Sequence, residues 1–224
     1  MENILNVSYA QNGSSTNLNA MGMREMQARA FAERNSQYLL IKAPPACGKS
    51  RALMFLGLDK LMNQDIKKVI VSVPEMSIGS SFKNTDLIKH GFFADWAIHD
   101  RNNLCINGGD SGKVEAFKRF MASDDQVLVC THATLRFAFD KIEPQEFNDT
   151  LVAIDEFHHV SQDDNSVLGN ALREVLQKST AHVFAMTGSY FRGDSVPILD
   201  PADEARFERV TYTYYEQLCK RSRV

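Results

Sequence analysis

The sequence lacks the long apolar run that a membrane-spanning helix requires. No part of its 224 residues contains about 18 consecutive apolar positions. The N-terminus also lacks the basic segment followed by an apolar one that marks a secretory signal. We therefore expect a cytoplasmic protein that contacts no membrane.

The sequence also contains few cysteines and no excess of basic over acidic residues. The four cysteines are widely spaced and form no C-x-x-C pair, which predicts reduced, buried thiols rather than disulfides or a zinc site. The 25 Lys and Arg against 28 Asp and Glu give a formal net charge of -3, and this charge gives no support for nucleic-acid binding. A motor that grips a strand transiently through backbone N–H groups and hydroxyls is still compatible with such a charge.

The octapeptide from Ala43 to Ser50, APPACGKS, separates an apolar run from a helical pattern. A strand, a tight turn and a helix form the frame of a phosphate-binding loop, in which backbone N–H groups and the helix N-terminus hold the phosphates of ATP. In that interpretation Lys49 contacts the terminal phosphates and the Ser50 hydroxyl binds Mg2+. The predicted nucleotide contacts in this loop are Pro45, Ala46, Cys47, Gly48, Lys49 and Ser50.

This loop departs from the pattern G-x-x-x-x-G-K-[ST]. Ala43 takes the place of the first glycine, and Ala46 stands where a further glycine often occurs. The alternative interpretation is a strand-to-helix turn in which Gly48 has a positive φ and Lys49 is solvated.

Short apolar runs alternate with helical patterns along the chain. Such runs are typical of strands that are buried on both faces of a parallel sheet. They occupy residues 38–42, 69–74, 127–131, 151–155 and 183–186. The alternation predicts an α/β fold in which a doubly wound, mostly parallel sheet lies between helices.

Four further expectations concern the ends of the chain and its aromatic residues. Residues 1–20 are rich in Asn, Ser and Gly and are expected to form a flexible leader, and residues 21–224 a single domain. Residues 209–215 alternate as a half-exposed strand would. We expect Phe92, Phe93 and Trp96 in the core rather than at a base-stacking surface.

Two adjacent acids, Asp155 and Glu156, stand at the end of the run 151–155. In open parallel sheets ligands bind beyond the carboxyl ends of the strands, where the phosphate loop also lies. Asp155 is then expected to bind Mg2+ together with Ser50, and Glu156 to orient or deprotonate the attacking water. A solvated strand end would explain each acid separately, but not their joint occurrence with Gly-Lys-Ser at one edge.

Taken in order, these segments resemble the motifs of superfamily-two helicases and translocases. The run Asp155-Glu156-Phe157-His158 resembles motif II of that family, its DEAH-type box. Four other segments follow the family order, and they are Arg24–Gln27 (Gln motif), Val71–Pro74 (motif Ia), Cys130–Thr134 (the next strand-end motif) and Thr187–Ser189 with Arg192 (motif III).

The resemblance implies a role for each matching residue. Arg24 and Gln27 would contact the nucleotide, with the Gln27 side chain at the adenine edge. His158 would belong to the catalytic group through a hydrogen bond to Thr187 or Gln27. The residues implied in coupling the site to a nucleic-acid strand are Pro74, Thr131, Thr187, Gly188 and Ser189, the last standing where Thr is more usual.

The resemblance also implies a fold and partners. The chain matches the first of two RecA-like lobes, a P-loop NTPase domain built as a three-layer sandwich. The second lobe, which carries the arginine fingers, is missing from this chain and is expected in a longer chain or a partner. We expect ATP hydrolysis that is weak in this chain alone, because an arginine finger supplies a factor of about 10³–10⁵.

The nearest subgroup is implied by the Arg-x-x-Gln and Asp-Glu-x-His-His patterns. They look most like restriction-subunit and repair-type DNA translocases, with DEAH-group RNA helicases next, so DNA is expected as the partner rather than RNA. Two other functions fit the residues: a P-loop nucleotide switch or kinase-like NTPase that binds no nucleic acid, and an interaction module with a degenerate site.

Overall fold

The computed structural model of the chain describes residues 18–105, 110–157, 167–188 and 201–221. Within these residues six strands form one sheet. The strands are β1 Tyr38–Lys42, β2 Lys68–Val73, β3 Val127–Thr131, β4 Thr150–Ile154, β5 His182–Thr187 and β6 Glu208–Thr211. Their order is β3-β2-β4-β5-β1-β6, and every neighbouring pair is parallel.

Helices precede, connect and follow the strands. They are α1 Glu25–Ala32, α2 Lys49–Asn63, α3 Met76–Gly79, α4 Asp110–Ala122, α5 His132–Phe139, α6 Val167–Lys178, α7 Pro201–Glu204 and α8 Tyr214–Arg221. Short 3₁₀ turns lie at Ser80–Phe82, Ile88–His90, Asp100–Asn102 and Pro144–Phe147. Among the described helices none combines the length and the apolar character needed to cross a bilayer.

Alternate side chains of the strands enter two apolar layers. Leu39 and Ile41 of β1 belong to the layer that also contains the buried residues of α1 and α2. Leu40, between them, belongs to the layer formed with α4, α5 and α6. The sheet is thus covered on both faces, which is why its strands are apolar throughout. The predicted α/β fold, with a parallel sheet between two helical layers, is confirmed.

Two local predictions were correct only in part. The strand predicted at residues 209–215 stops at Thr211, and α8 begins at Tyr214. Thr213 caps this helix: its hydroxyl accepts a hydrogen bond from Glu216 N (3.2 Å), and Glu216 Oε2 accepts one from Thr213 N (2.8 Å). Phe93 is 43% exposed, although Phe92 and Trp96 are buried as expected.

Candidate nucleotide-binding site

Three segments meet at the carboxyl edge of the sheet. The loop 43–48 connects β1 to α2, Asp155 follows β4, and Gly188 follows β5. Ala43 N donates to Thr187 O (3.1 Å), which ties the start of the loop to the end of the neighbouring strand. Because parallel strands end at one edge, the loop and the two acids are brought together there.

The backbone of the loop explains where glycine is needed. Gly48, the N-cap of α2, has φ 91°, and a Cβ at this position would lie 2.4 Å from Gln27 Nε2. Ala46 has φ 61°, in the left-handed region where a side chain costs about 1–2 kcal/mol. The preference for glycine at position 46 in such loops thus has a local steric cause, and this chain tolerates the strain.

Lys49 is the first residue of α2, and its side chain turns inward. Lys49 is 7% exposed, and its Nζ lies 3.1 Å from Glu156 Oε1 and donates to Ala43 O at 3.4 Å. A solvated Lys49, as in the alternative interpretation of the loop, is therefore excluded. The ammonium group lies between the phosphate loop and the acidic turn after β4.

The acidic turn after β4 holds Asp155 and Glu156 in different environments. Asp155 is 3% exposed, and its pKa is raised to about 6 by burial and by the Glu156 charge, against the opposing effect of Lys49. Glu156 has φ 46°, and its Oε2 accepts a hydrogen bond from Gly188 N at 3.1 Å. A buried carboxyl group with a raised pKa gains from a cation that favours its ionised form.

The residues present fit a bound Mg2+. Asp155 supplies a carboxyl group, and Ser50 supplies a hydroxyl from the first turn of α2. Both offer oxygen, the ligand that Mg2+ prefers, and Mg2+ in such sites is completed by phosphate oxygens and water.

Gln27 contacts the loop from the side. It is 2% exposed; its Oε1 accepts a hydrogen bond from Arg24 N (2.8 Å), and its Nε2 donates to Gly48 O (3.1 Å). The amide thus joins the first turn of α1 to the N-cap of α2. Arg24 itself is exposed.

The residues predicted to couple the site to nucleic acid lie at the same edge. Pro74 follows β2, Thr131 ends β3, and Thr187 and Gly188 lie at the end of β5. The Thr131 hydroxyl accepts a hydrogen bond from Thr134 N (3.2 Å) as the cap of α5, and Thr187 is fully buried. Two predicted site residues, His158 and Ser189, lie outside the described residues.

His132 also belongs to the site, although its sequence motif assigned it no role. Its Nε2 lies 3.0 Å from the backbone oxygen of Asp155, so it contacts the acidic turn from the start of α5. A histidine inside the motif-like segment 130–134 was the available signal, but its partner depends on strand order, which the motif does not contain.

Comparison with known proteins identifies relatives of this chain. The family model described as "Type III restriction enzyme, res subunit" matches residues 14–192. A Bacillus subtilis (strain 168) protein, provisionally described as ATP-dependent helicase YeeB, is 67% identical over 218 residues, which are 97% of this chain and 36% of that protein. The ATP-dependent RNA helicase DHX58 of Mus musculus is 25% identical over 173 residues, which are 74% of this chain and 24% of that protein.

A solved structure is similar in fold. The Pyrococcus furiosus Hef helicase domain matches with a TM-score of 0.56 at 16% identity, over 87% of this chain and 39% of that one. The chain spans about a third or less of the curated relatives it matches, 36% of YeeB and 24% of DHX58.

Proposed function

Because this chain belongs to the family of the type III restriction enzyme res subunit, we propose that it is the ATP-binding lobe of a helicase or translocase. The observation that carries the proposal is the contact between Lys49 and Glu156, 3.1 Å apart beside buried Asp155, at the end of the phosphate loop. A lysine, a glycine-capped helix and two acids at one strand edge are the groups that NTP hydrolysis requires.

Each group in the site has a role in this proposal. Lys49 pairs with Glu156 and would exchange that partner for a terminal phosphate of ATP. Glu156 is oriented by the Gly188 N–H, which would leave its second oxygen aimed at a water molecule. Ser50 and Asp155 would hold Mg2+, which neutralises charge on the transferred phosphoryl group when bound.

We further propose DNA as the track and a second RecA-like lobe as the partner. The family description, which names a restriction enzyme, supports DNA, whereas the RNA helicase name of DHX58 makes RNA the competing track. The second lobe would supply arginine fingers from a longer chain or another subunit. In this proposal the protein works in the cytoplasm, and the 224-residue chain alone binds ATP but hydrolyses it slowly.

The variant Glu156→Gln tests the proposal. It keeps the size of the side chain but removes the carboxylate, so we expect ATP hydrolysis to fall by about 10²-fold or more while ATP still raises the melting temperature. The control is Glu115→Gln on α4, whose side chain is 66% exposed and distant in sequence from the site. Hydrolysis should be measured with and without DNA and RNA.

Three other outcomes of these measurements would contradict the proposal or a part of it. Equal hydrolysis by Glu156→Gln and the wild type would contradict the role of Glu156. Hydrolysis that responds to neither DNA nor RNA, even with a second lobe present, would indicate a nucleotide switch. If ATP leaves the melting temperature of the wild type unchanged and Lys49→Ala behaves identically, the chain is an interaction module.

A further inference from the structure

The His132 side chain crosses the end of a strand to reach its partner. His132 follows β3, whereas Asp155 follows β4, and β2 lies between these two strands in the sheet. The imidazole Nε2 lies 3.0 Å from Asp155 O. On the other side of the same residue, Asp155 N donates to Ser72 O of β2 at 2.8 Å. Asp155 is thus held through both of its backbone polar groups, by Ser72 of β2 and by His132, the first residue of α5.

The backbone of the turn that contains Asp155 and Glu156 is strained. Glu156 has φ 46°, and a non-glycine residue in the left-handed region persists only when its surroundings fix it. The Asp155 carboxyl group accepts a hydrogen bond from Glu156 N (2.9 Å), so its direction depends on the same turn. Loss of a contact to Asp155 O would let the turn relax and would change where the carboxyl group points.

We propose that His132 is a positioning residue that holds Asp155 in place for Mg2+, an inference that rests on the function proposed above. The contact requires a proton on Nε2, because the Asp155 oxygen can only accept. In this inference His132 acts on the metal site through the backbone of Asp155 and not as a ligand.

His132 also lies next to a residue that is proposed to couple the site to nucleic acid. His132 is the first residue of α5, directly after Thr131, whose hydroxyl caps the helix. Thr131 is one of the residues proposed to couple the site to a nucleic-acid strand. Movement of this strand–helix junction would therefore be passed to Asp155 through one hydrogen bond.

Nucleotide affinity measured with and without Mg2+ tests the inference. The probe is the non-hydrolysable analogue AMP-PNP, titrated by calorimetry into the 224-residue chain in Mg2+ and in EDTA. In His132→Ala we expect the gain in affinity due to Mg2+ to fall about fivefold, the effect of a hydrogen bond worth about 1 kcal/mol. The affinity in EDTA, which depends on the phosphate loop, should be unchanged.

Two further substitutions and a control sharpen the measurement. His132→Gln retains an N–H donor and should keep the Mg2+ effect, whereas His132→Phe keeps a ring without a donor and should lose it. His132→Phe also serves if His132→Ala does not fold. The control is His99→Ala, a histidine whose side chain is 72% exposed, which should match the wild type.

The outcomes separate this inference from the proposed function. If the wild type binds AMP-PNP with a Mg2+ effect and both His132→Ala and His132→Phe keep it, the inference is overturned and the function stands. Equal losses in EDTA and in Mg2+ would also overturn it, because they would show a general structural role. If the wild type binds no nucleotide, the proposed function fails and the inference fails with it.

Discussion

A buried lysine far from the candidate site makes the stability of this protein depend on pH. Lys60 of α2 is fully buried, and its Nζ donates to Ser36 O (2.9 Å) and Gln64 Oε1 (2.6 Å). Burial lowers its pKa from 10.5 to about 8, although the neighbouring Asp59 opposes the change. These hydrogen bonds use two of the three N–H donors of the ammonium group and do not offset the hydration that the group loses on folding.

The sign and size of the effect follow from these two pKa values. Between about pH 8 and 10.5 the unfolded chain keeps a proton on Lys60 that the folded chain has lost, so the free energy of unfolding rises with pH. With pKa values of about 8 and 10.5, the increase from pH 7 to pH 9.5 is about 2 kcal/mol. Below about pH 7 the contribution of Lys60 to the pH dependence vanishes.

The substitution Lys60→Met removes the titrating group. We expect the free energy of unfolding of the wild type, minus that of Lys60→Met, to increase by about 2 kcal/mol between pH 7 and pH 9.5. Urea denaturation of both proteins at the two pH values measures this double difference. Other groups that titrate in this range are common to both proteins and cancel.

A second lysine provides a control of opposite sign. The Lys67 side chain is 75% exposed and lies 2.7 Å from Asp149 Oδ2, and this carboxylate raises the Lys67 pKa. The stability that Lys67 contributes is present at neutral pH and is lost as the pH rises past its folded pKa, so Lys67→Met should not reproduce the Lys60→Met trend. A wild type and a Lys60→Met variant with parallel pH profiles would refute the reasoning about Lys60.

The sheet could be predicted closely from the sequence. Residues 38–42 and 127–131 match β1 and β3 at both ends, and the run 69–74 differs from β2 by one residue at each end. These segments are apolar at nearly every position because helices cover both faces of the sheet. Continuous burial leaves a signal that is local and strong.

The end of the chain could not be predicted in the same way. Its Tyr- and Thr-rich alternation favours a strand by local propensity. The reciprocal hydrogen bonds between Thr213 and Glu216 instead start a helix after Thr213. Glu216 Oε1 also lies 2.7 Å from Arg29 Nη1 of α1. That ion pair joins residues 187 positions apart in the sequence, and no local pattern contains it.

The candidate site could also be predicted from the sequence only in part. Lys49, Asp155 and Glu156 could be assigned to one edge from the sequence, because every parallel strand presents its carboxyl end there. The contact of His132 with Asp155 depends on β2 lying between β3 and β4, and strand order is not contained in any of the motifs. The two departures from the phosphate-loop pattern were visible, but their cost depends on backbone angles that only the structure supplies.

Two substitutions test how the loop backbone and its neighbours affect stability and binding. Ala46→Gly should raise the urea midpoint slightly. Relief of the left-handed conformation of Ala46 (φ 61°) is worth about 1–2 kcal/mol, and this exceeds the about 0.4–1 kcal/mol that glycine costs through the unfolded state. A lower midpoint would contradict this expectation. In Gly188→Ala the added Cβ would lie 3.2 Å from Lys49 Nζ and 3.5 Å from Glu156 Oε2. The backbone of Gly188 does not have a positive φ, so alanine can adopt the same conformation. We expect the methyl group to displace the Lys49 ammonium group and so to disturb the charged hydrogen bond that Lys49 would donate to a terminal phosphate, worth about 1.5–3 kcal/mol. The binding of Mg2+–AMP-PNP should weaken about tenfold or more, while the melting temperature in the absence of nucleotide changes little. Unchanged affinity in a folded Gly188→Ala protein would contradict the proposed contact between Lys49 and the terminal phosphates.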